Sequence, residues 1–183
     1  SLLKNKIKII KKNKIKKGLG EILIKGKNLF AGYIKNKTKT NKVLKKKWLY
    51  TGDLGKFDKK GNLYIEERKD NMIVVSGENI FPTEIEKFVN DYDKIKLSVV
   101  VPLKDEISQN KLVLIYESKS KVSDEKIFKF LYKKISVYKI PKIALNCKSL
   151  DLDEIPKASN GKILRAKIID YTNNFFKNKN TLT

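Results

Sequence analysis

Met72-Ile73-Val74-Val75-Ser76-Gly77-Glu78-Asn79-Ile80-Phe81-Pro82-Thr83-Glu84-Ile85-Glu86, residues 72–86, is the stretch on which the fold turns. Its apolar opening reads as a short strand closed by Ser76-Gly77. Pro82 and Thr83 then open a helix, and Thr83 and Glu86 have the spacing of a capping box. Ile85, Phe88, Val89 and Tyr92 follow at helical period, giving that helix one apolar face to bury.

The pattern continues C-terminally. Leu97 to Val101 is a β-branched strand ended by Pro102, and Lys111 to Glu117 is a second strand. Ser123-Asp124 caps a second helix carrying Ile127, Phe130, Leu131 and Ile135. Ile143 to Leu150 reads as a third strand, and Leu164, Ile168, Tyr171 and Phe175 mark a last helix before the chain frays. From Asp70 onward the order is β, α, β, β, α, β, α, which is a small α/β domain with a short sheet covered by three helices.

Upstream the character differs. Residues 1–17 are rich in Lys, Ile and Asn, with weak alternation at Ile7, Ile9 and Ile15, as a strand or a disordered arm would have. Gly18-Leu19-Gly20 reads as a turn and Glu21 to Lys25 as a strand stopped by Gly26. Lys35 to Lys47 is polar, basic and loop-like. Phe57 to Ile65 reads as a hairpin with its turn at Asp58 to Gly61. The fold class is therefore α+β: residues 1–69 a β-rich end of a larger domain, 70–172 a compact domain, 173–183 a polar tail. The chain has no initiator Met and reads as a piece of a longer protein.

Composition narrows the chemistry. The chain has 183 residues, one Cys and no His. A single thiol rules out an internal disulfide and a multi-cysteine zinc site, and fits a cytoplasmic compartment. Without His there is no Ser-His-Asp or Cys-His pair, so catalysis must rest on Lys, Arg, carboxylates and backbone dipoles. The formal net charge is +22, yet only two of the 42 basic residues are Arg, Arg68 and Arg165. Nucleic-acid readers use Arg for bidentate contacts, so the Lys excess reads as a solvated surface. A basic polyanion-binding module is kept as an alternative. No apolar run is long enough to cross a bilayer as a helix.

Three polar segments concentrate candidate chemistry: Tyr50-Thr51-Gly52-Asp53-Leu54-Gly55; Arg68-Lys69-Asp70 with Val75-Ser76-Gly77-Glu78-Asn79; and Ile155-Pro156-Lys157-Ala158-Ser159-Asn160-Gly161-Lys162-Ile163-Leu164-Arg165. Each has an ordinary reading as a turn, a surface ion pair or a loop before a helix. In this order, they resemble the adenylate-forming (AMP-binding) superfamily, which includes acyl-CoA synthetases, peptide-synthetase adenylation domains and luciferases. Gly20-Glu21-Ile22, Gly61-Asn62-Leu63-Tyr64 with Arg68, the 76–86 stretch and Pro156-Lys157 with Gly161-Lys162-Ile163 all match, so the resemblance covers nearly the whole chain.

The resemblance implies the C-terminal region of an acyl-CoA synthetase. Such enzymes join a carboxylic acid to ATP as an acyl-adenylate, then pass the acyl group to a thiol, often CoA. It implies Lys162 as the catalytic cation, with Asp53, Arg68 and Lys162 binding the nucleotide and Asp70 as hinge. Ser76 and Gly77 would contact CoA, although a plain strand terminator reads almost as well. ATP, CoA and Mg2+ are the implied cofactors, with metal ligands and acid pocket in the absent N-terminal domain. Asn79 departs from members that carry Arg there. A carrier-protein thiol is the alternative acceptor.

Overall fold

The computed structural model describes residues 6–10 and 19–180. The readings at Ile15, at Gly18 and at residues 181–183 lie outside them. The chain falls into two compact units, the first ending at Met72 and the second beginning at Ile73.

The first unit is an antiparallel sheet. Strand β1 (Lys6–Ile10) pairs with β2 (Gly20–Lys25), which pairs with a long β4 (Trp48–Phe57). The start of β4 also pairs with β3 (Leu44–Lys45), and its end with β5 (Leu63–Arg68). The β4–β5 turn is the expected one: Asp58 Oδ1 accepts from the N–H groups of Lys60 and Asn62, both at 2.8 Å, and Gly61 sits at φ +85°. A bulge at Leu54/Gly55 re-aims β4. Only glycine fits at Gly55, because a Cβ there would lie 2.6 Å from the Tyr64 carbonyl oxygen and 2.7 Å from Ile22 Cδ1.

Where residues 35–47 read as a loop, a helix forms, α1 (Lys37–Val43). Asn36 Oδ1 caps it by accepting from Lys39 N–H at 2.9 Å, and no residue of α1 is buried. Capping and local bonds form it, so it has no apolar stripe to read.

The second unit is built on a three-stranded sheet. β8 (Ile95–Asp105) and β9 (Gln109–Ser118) are antiparallel, and β10 (Ile143–Asn146) lies parallel to β9, in the order β10-β9-β8. Register pairs Val99 with Ile115, Val100 with Leu114 and Val101 with Val113. Side chains alternate across a strand, so these runs feed two cores. Val100, Leu112, Leu114 and Tyr116 pack with Ile85 and Val89 of α2 (Pro82–Asn90) and Ile127 and Leu131 of α3 (Asp124–Tyr132). Val99, Val101, Val113 and Ile115 pack with Ile155 and with Ile168 of α4 (Arg165–Asn180). A hairpin of β6 (Ile73–Val75) and β7 (Glu78–Ile80) precedes α2.

Several local readings are corrected. β8 runs past Pro102 to Asp105 with Pro102 opposite Leu112; an edge strand tolerates a residue with no N–H to give. The third strand ends at Asn146 and a 3₁₀ turn takes Cys147–Leu150. Residues beyond 172 are not simply a tail: α4 continues to Asn180, with Phe175 and Phe176 packed against the second core. The capping box is absent too. Phe81 is the N-cap of α2 with no side-chain cap bond, and Pro82 takes the first turn, where its missing N–H costs nothing. Ser123 precedes α3 without a side-chain cap bond.

Candidate functional site

In the first unit, Thr51, Asp53, Arg68 and Asp70 are brought together. Register places Asp53 opposite Arg68 on β4 and β5. Arg68 Nη1 donates to Asp53 Oδ1 at 2.9 Å and to the Thr51 carbonyl at 2.8 Å, and Nη2 lies 3.5 Å from Asp70 Oδ2. Gly52 sits at φ +74°, and a Cβ on it would meet Arg68 Nη2 at 3.0 Å, so glycine both makes the turn and admits the guanidinium. Thr51 Oγ1 donates to the Ile22 carbonyl at 2.8 Å and accepts from Asp53 N–H at 3.0 Å, which fixes the turn to β2. Asp53 Oδ2 accepts nothing among the described residues. A half-exposed carboxylate held this way can take two vicinal hydroxyls. Asp70 lies in the 3₁₀ turn Lys69–Asn71, just before the division between units, and its carboxylate is 82% exposed.

In the second unit, Ser76 and Gly77 are the two-residue loop of the β6–β7 hairpin, with φ of +49° and +81°. Left-handed backbone at both positions is what the twist of a two-residue hairpin requires. The loop is tied from outside: Ser76 N–H donates to the Ser108 carbonyl at 2.9 Å, and Asn110 Nδ2 donates to the Val74 carbonyl at 2.8 Å. Asp105 Oδ2 accepts from Ser108 N–H at 2.9 Å and from its hydroxyl at 2.6 Å, and Asp105 pairs with Lys111.

Lys162 stands on a tight turn before α4. Lys157 and Ile163 bridge across it; Ala158 N–H donates to the Lys162 carbonyl and Gly161 N–H to the Ala158 carbonyl, both at 2.8 Å. Gly161 has φ +80°. The Lys162 side chain is exposed, and its ammonium makes no hydrogen bond or ion pair among the described residues. Three residues on, Arg165 Nη1 and Nη2 grip Glu86 Oε1 at 2.6 Å and Oε2 at 3.1 Å, and Nη1 also donates to the Val100 carbonyl at 2.7 Å. Glu86 Oε1 accepts from Val100 N–H at 2.7 Å as well, so α2, β8 and α4 meet in one buried polar knot. The sequence reading put Glu86 in a cap and missed Ser108 and Asn110, whose partners are far along the chain.

A separate polar cleft is lined by Lys96, Glu117, Asn146, Cys147, Lys148 and Asp153. Glu117 Oε1 accepts from Ile155 N–H, and Lys96 Nζ lies 3.0 Å from Glu117 Oε2 without hydrogen-bond alignment. Burial, then the Glu117 carboxylate, pushes the Cys147 thiol pKa up, away from the reactive thiolate. No group of three His, Cys, Asp or Glu side chains suited to a metal ion occurs among the described residues.

No family model matches the chain. The 2-succinylbenzoate–CoA ligase of Bacillus mycoides (strain KBAB4) is 35% identical over 150 residues, 81% of this chain and 30% of the relative. The solved o-succinylbenzoate CoA synthetase of Bacillus subtilis, in complex with the acyl-adenylate intermediate OSB-AMP, superposes with a TM-score of 0.79 at 26% identity, over 90% of this chain and 33% of that one. ATP-bound MatB of Rhodopseudomonas palustris shares the fold, with a TM-score of 0.82 at 20% identity, over 94% of this chain and 35% of that one. The chain belongs to the adenylate-forming, AMP-binding superfamily, in the family of the CoA ligases that it matches. It spans about 30% of the length of the curated relatives it matches.

Proposed function

We propose that this chain supplies the C-terminal part of an ATP-dependent acid–thiol ligase. In the first half-reaction a carboxylate oxygen attacks the α-phosphorus of ATP and pyrophosphate leaves. In the second a CoA thiol loses its proton, its sulfur attacks the acyl carbon and AMP leaves. CoA rather than a carrier-protein thiol is assigned because the relatives are named CoA ligases. 2-Succinylbenzoate, the acid in those names, is the first substrate to test.

The observation that carries the reading is the exposed Lys162 ammonium, without a partner among the described residues, at the tip of a braced turn. The first step brings two anions together. Unit charges about 4 Å apart repel by about 4 kcal/mol at an effective dielectric near 20. An ammonium between them offsets that repulsion and stabilises the charge that builds in the transition state. Asp53 would accept the ribose hydroxyls, with Arg68 holding its carboxylate and supporting ribose or phosphate. Asp70, beside the division between units, would be the hinge residue about which the second unit turns between half-reactions. Ser76 and Gly77 would line the path of the CoA arm. Mg2+ would accompany ATP on ligands outside this chain. A cytoplasmic location fits these substrates.

The test is the chain joined to the large N-terminal domain found in its relatives. Lys162→Ala lowers adenylate formation about 100-fold or more, while thiolation of supplied adenylate survives. Equal loss of both steps, or of neither, contradicts the assignment. The 183-residue chain alone exchanges no pyrophosphate into ATP.

A further inference from the structure

The two turns assigned above to the two half-reactions are held by separate sets of polar groups. The Ser76-Gly77 loop is gripped from the β8–β9 turn, through Ser108, and from the start of β9, through Asn110. The Lys162 turn leads straight into Arg165, whose fork is clamped by Glu86 and the Val100 carbonyl. Among the described residues no side chain belongs to both sets. Each set uses a donor that a neighbouring chemistry cannot imitate. The Asn110 amide gives a hydrogen to the Val74 carbonyl, two residues before Ser76. Arg165 spans both oxygens of a buried carboxylate and a carbonyl together, which a single lysine ammonium does not do. The chain otherwise uses Lys for all but two of its 42 basic residues, and the other exception, Arg68, also makes a forked contact.

We infer that Asn110 and Arg165 are positioning residues, Asn110 for the Ser76-Gly77 loop and Arg165 for the Lys162 turn, so that each loop is set independently of the other. The structural part stands on the contacts alone; its consequence for catalysis rests on the assignment of the loops in the preceding subsection. A displacement of about 1 Å at a reacting group costs on the order of 100-fold in rate, so a loosened bracket would silence one half-reaction and spare the other.

Amide hydrogen exchange in the 183-residue chain tests the structural part. Ser76 N–H reports on one loop, and Ala158 and Leu164 N–H, bonded to Lys162 and Pro156 carbonyls, report on the other. Asn110→Ala speeds exchange at Ser76 about tenfold and leaves Ala158 and Leu164 within about twofold; Arg165→Lys does the reverse. Should Arg165→Lys unfold the unit, Glu86→Gln, which keeps the shape and one acceptor oxygen, replaces it. Both reporters moving together, or neither moving, overturns the inference. In the completed enzyme, Asn110→Ala lowers kcat for thiolation with adenylation intact, and Arg165→Lys lowers adenylation with thiolation intact. An exchange split without a catalytic split supports independent brackets and overturns the roles given to the loops.

Discussion

At Asp105 the Lys111 ammonium, then the Ser108 hydroxyl and N–H, hold the carboxyl well below the usual carboxylate range. The sign of the consequence follows from which state takes the proton first. The unfolded aspartate protonates near pH 4, the folded one only in stronger acid. Its contribution to stability is complete above that pH and is lost as pH falls toward the folded value. Stability curves of the parent chain and Asp105→Asn, from urea midpoints between about pH 2.5 and 7, therefore separate above about pH 5 and converge in acid. A gap that stays constant across the range would exclude this account. Residues of this kind were not legible in the sequence. Asp105, Ser108 and Asn110 lie between the two strands that the pattern marks, and the contacts of Asn110 with Val74 and of Ser108 with Ser76 are tertiary. Asp53, Arg68 and Asp70 stand out in the sequence because they resemble a family motif; the β4–β5 register puts Asp53 opposite Arg68, and Asp70 follows in the next turn, 3.5 Å from Arg68.

Among the elements, β4 depends most on a single residue. Gly55 lies against the backbone of β5, where a methyl group would meet a carbonyl oxygen that cannot swing away. Gly55→Ala costs about 1–3 kcal/mol, read as a lowered denaturant midpoint with perturbed amide shifts along β4 and β5. Gly61→Ala is the control, since no atom lies within 4 Å of its added Cβ and only the positive φ is strained. Gly55 itself is not at positive φ, so an unchanged midpoint for Gly55→Ala would exclude contact with β5 as the constraint there. Elements with both faces buried were the easiest to read: β8 and β9 announce themselves as β-branched runs because each face has its own core. α1 was hidden because nothing in it is buried. The helical stripe of α2 was correct, but Glu86 was misassigned, since its partner Arg165 lies far along the chain and local spacing pointed to a cap.

For the whole molecule the governing quantity is charge. A net +22 on a chain whose two arginines are both engaged in internal contacts leaves a surface of lysine point charges. Such a surface attracts phosphate backbones without reading bases. The chain therefore binds heparin or mixed-sequence oligonucleotides at low salt and releases them by about 0.2 M, with no preference among scrambled sequences in competition. Sequence-selective binding that persisted at higher salt would revive the polyanion-binding module as its function. No helix among the described residues is long and apolar enough to cross a membrane. Cys147, the chain's one sulfhydryl, is 2% exposed and packed in the second core. A trapping reagent in solvent therefore tags a molecule only when that unit breathes open. The untagged fraction against time becomes a stopwatch for those excursions, needing no introduced label.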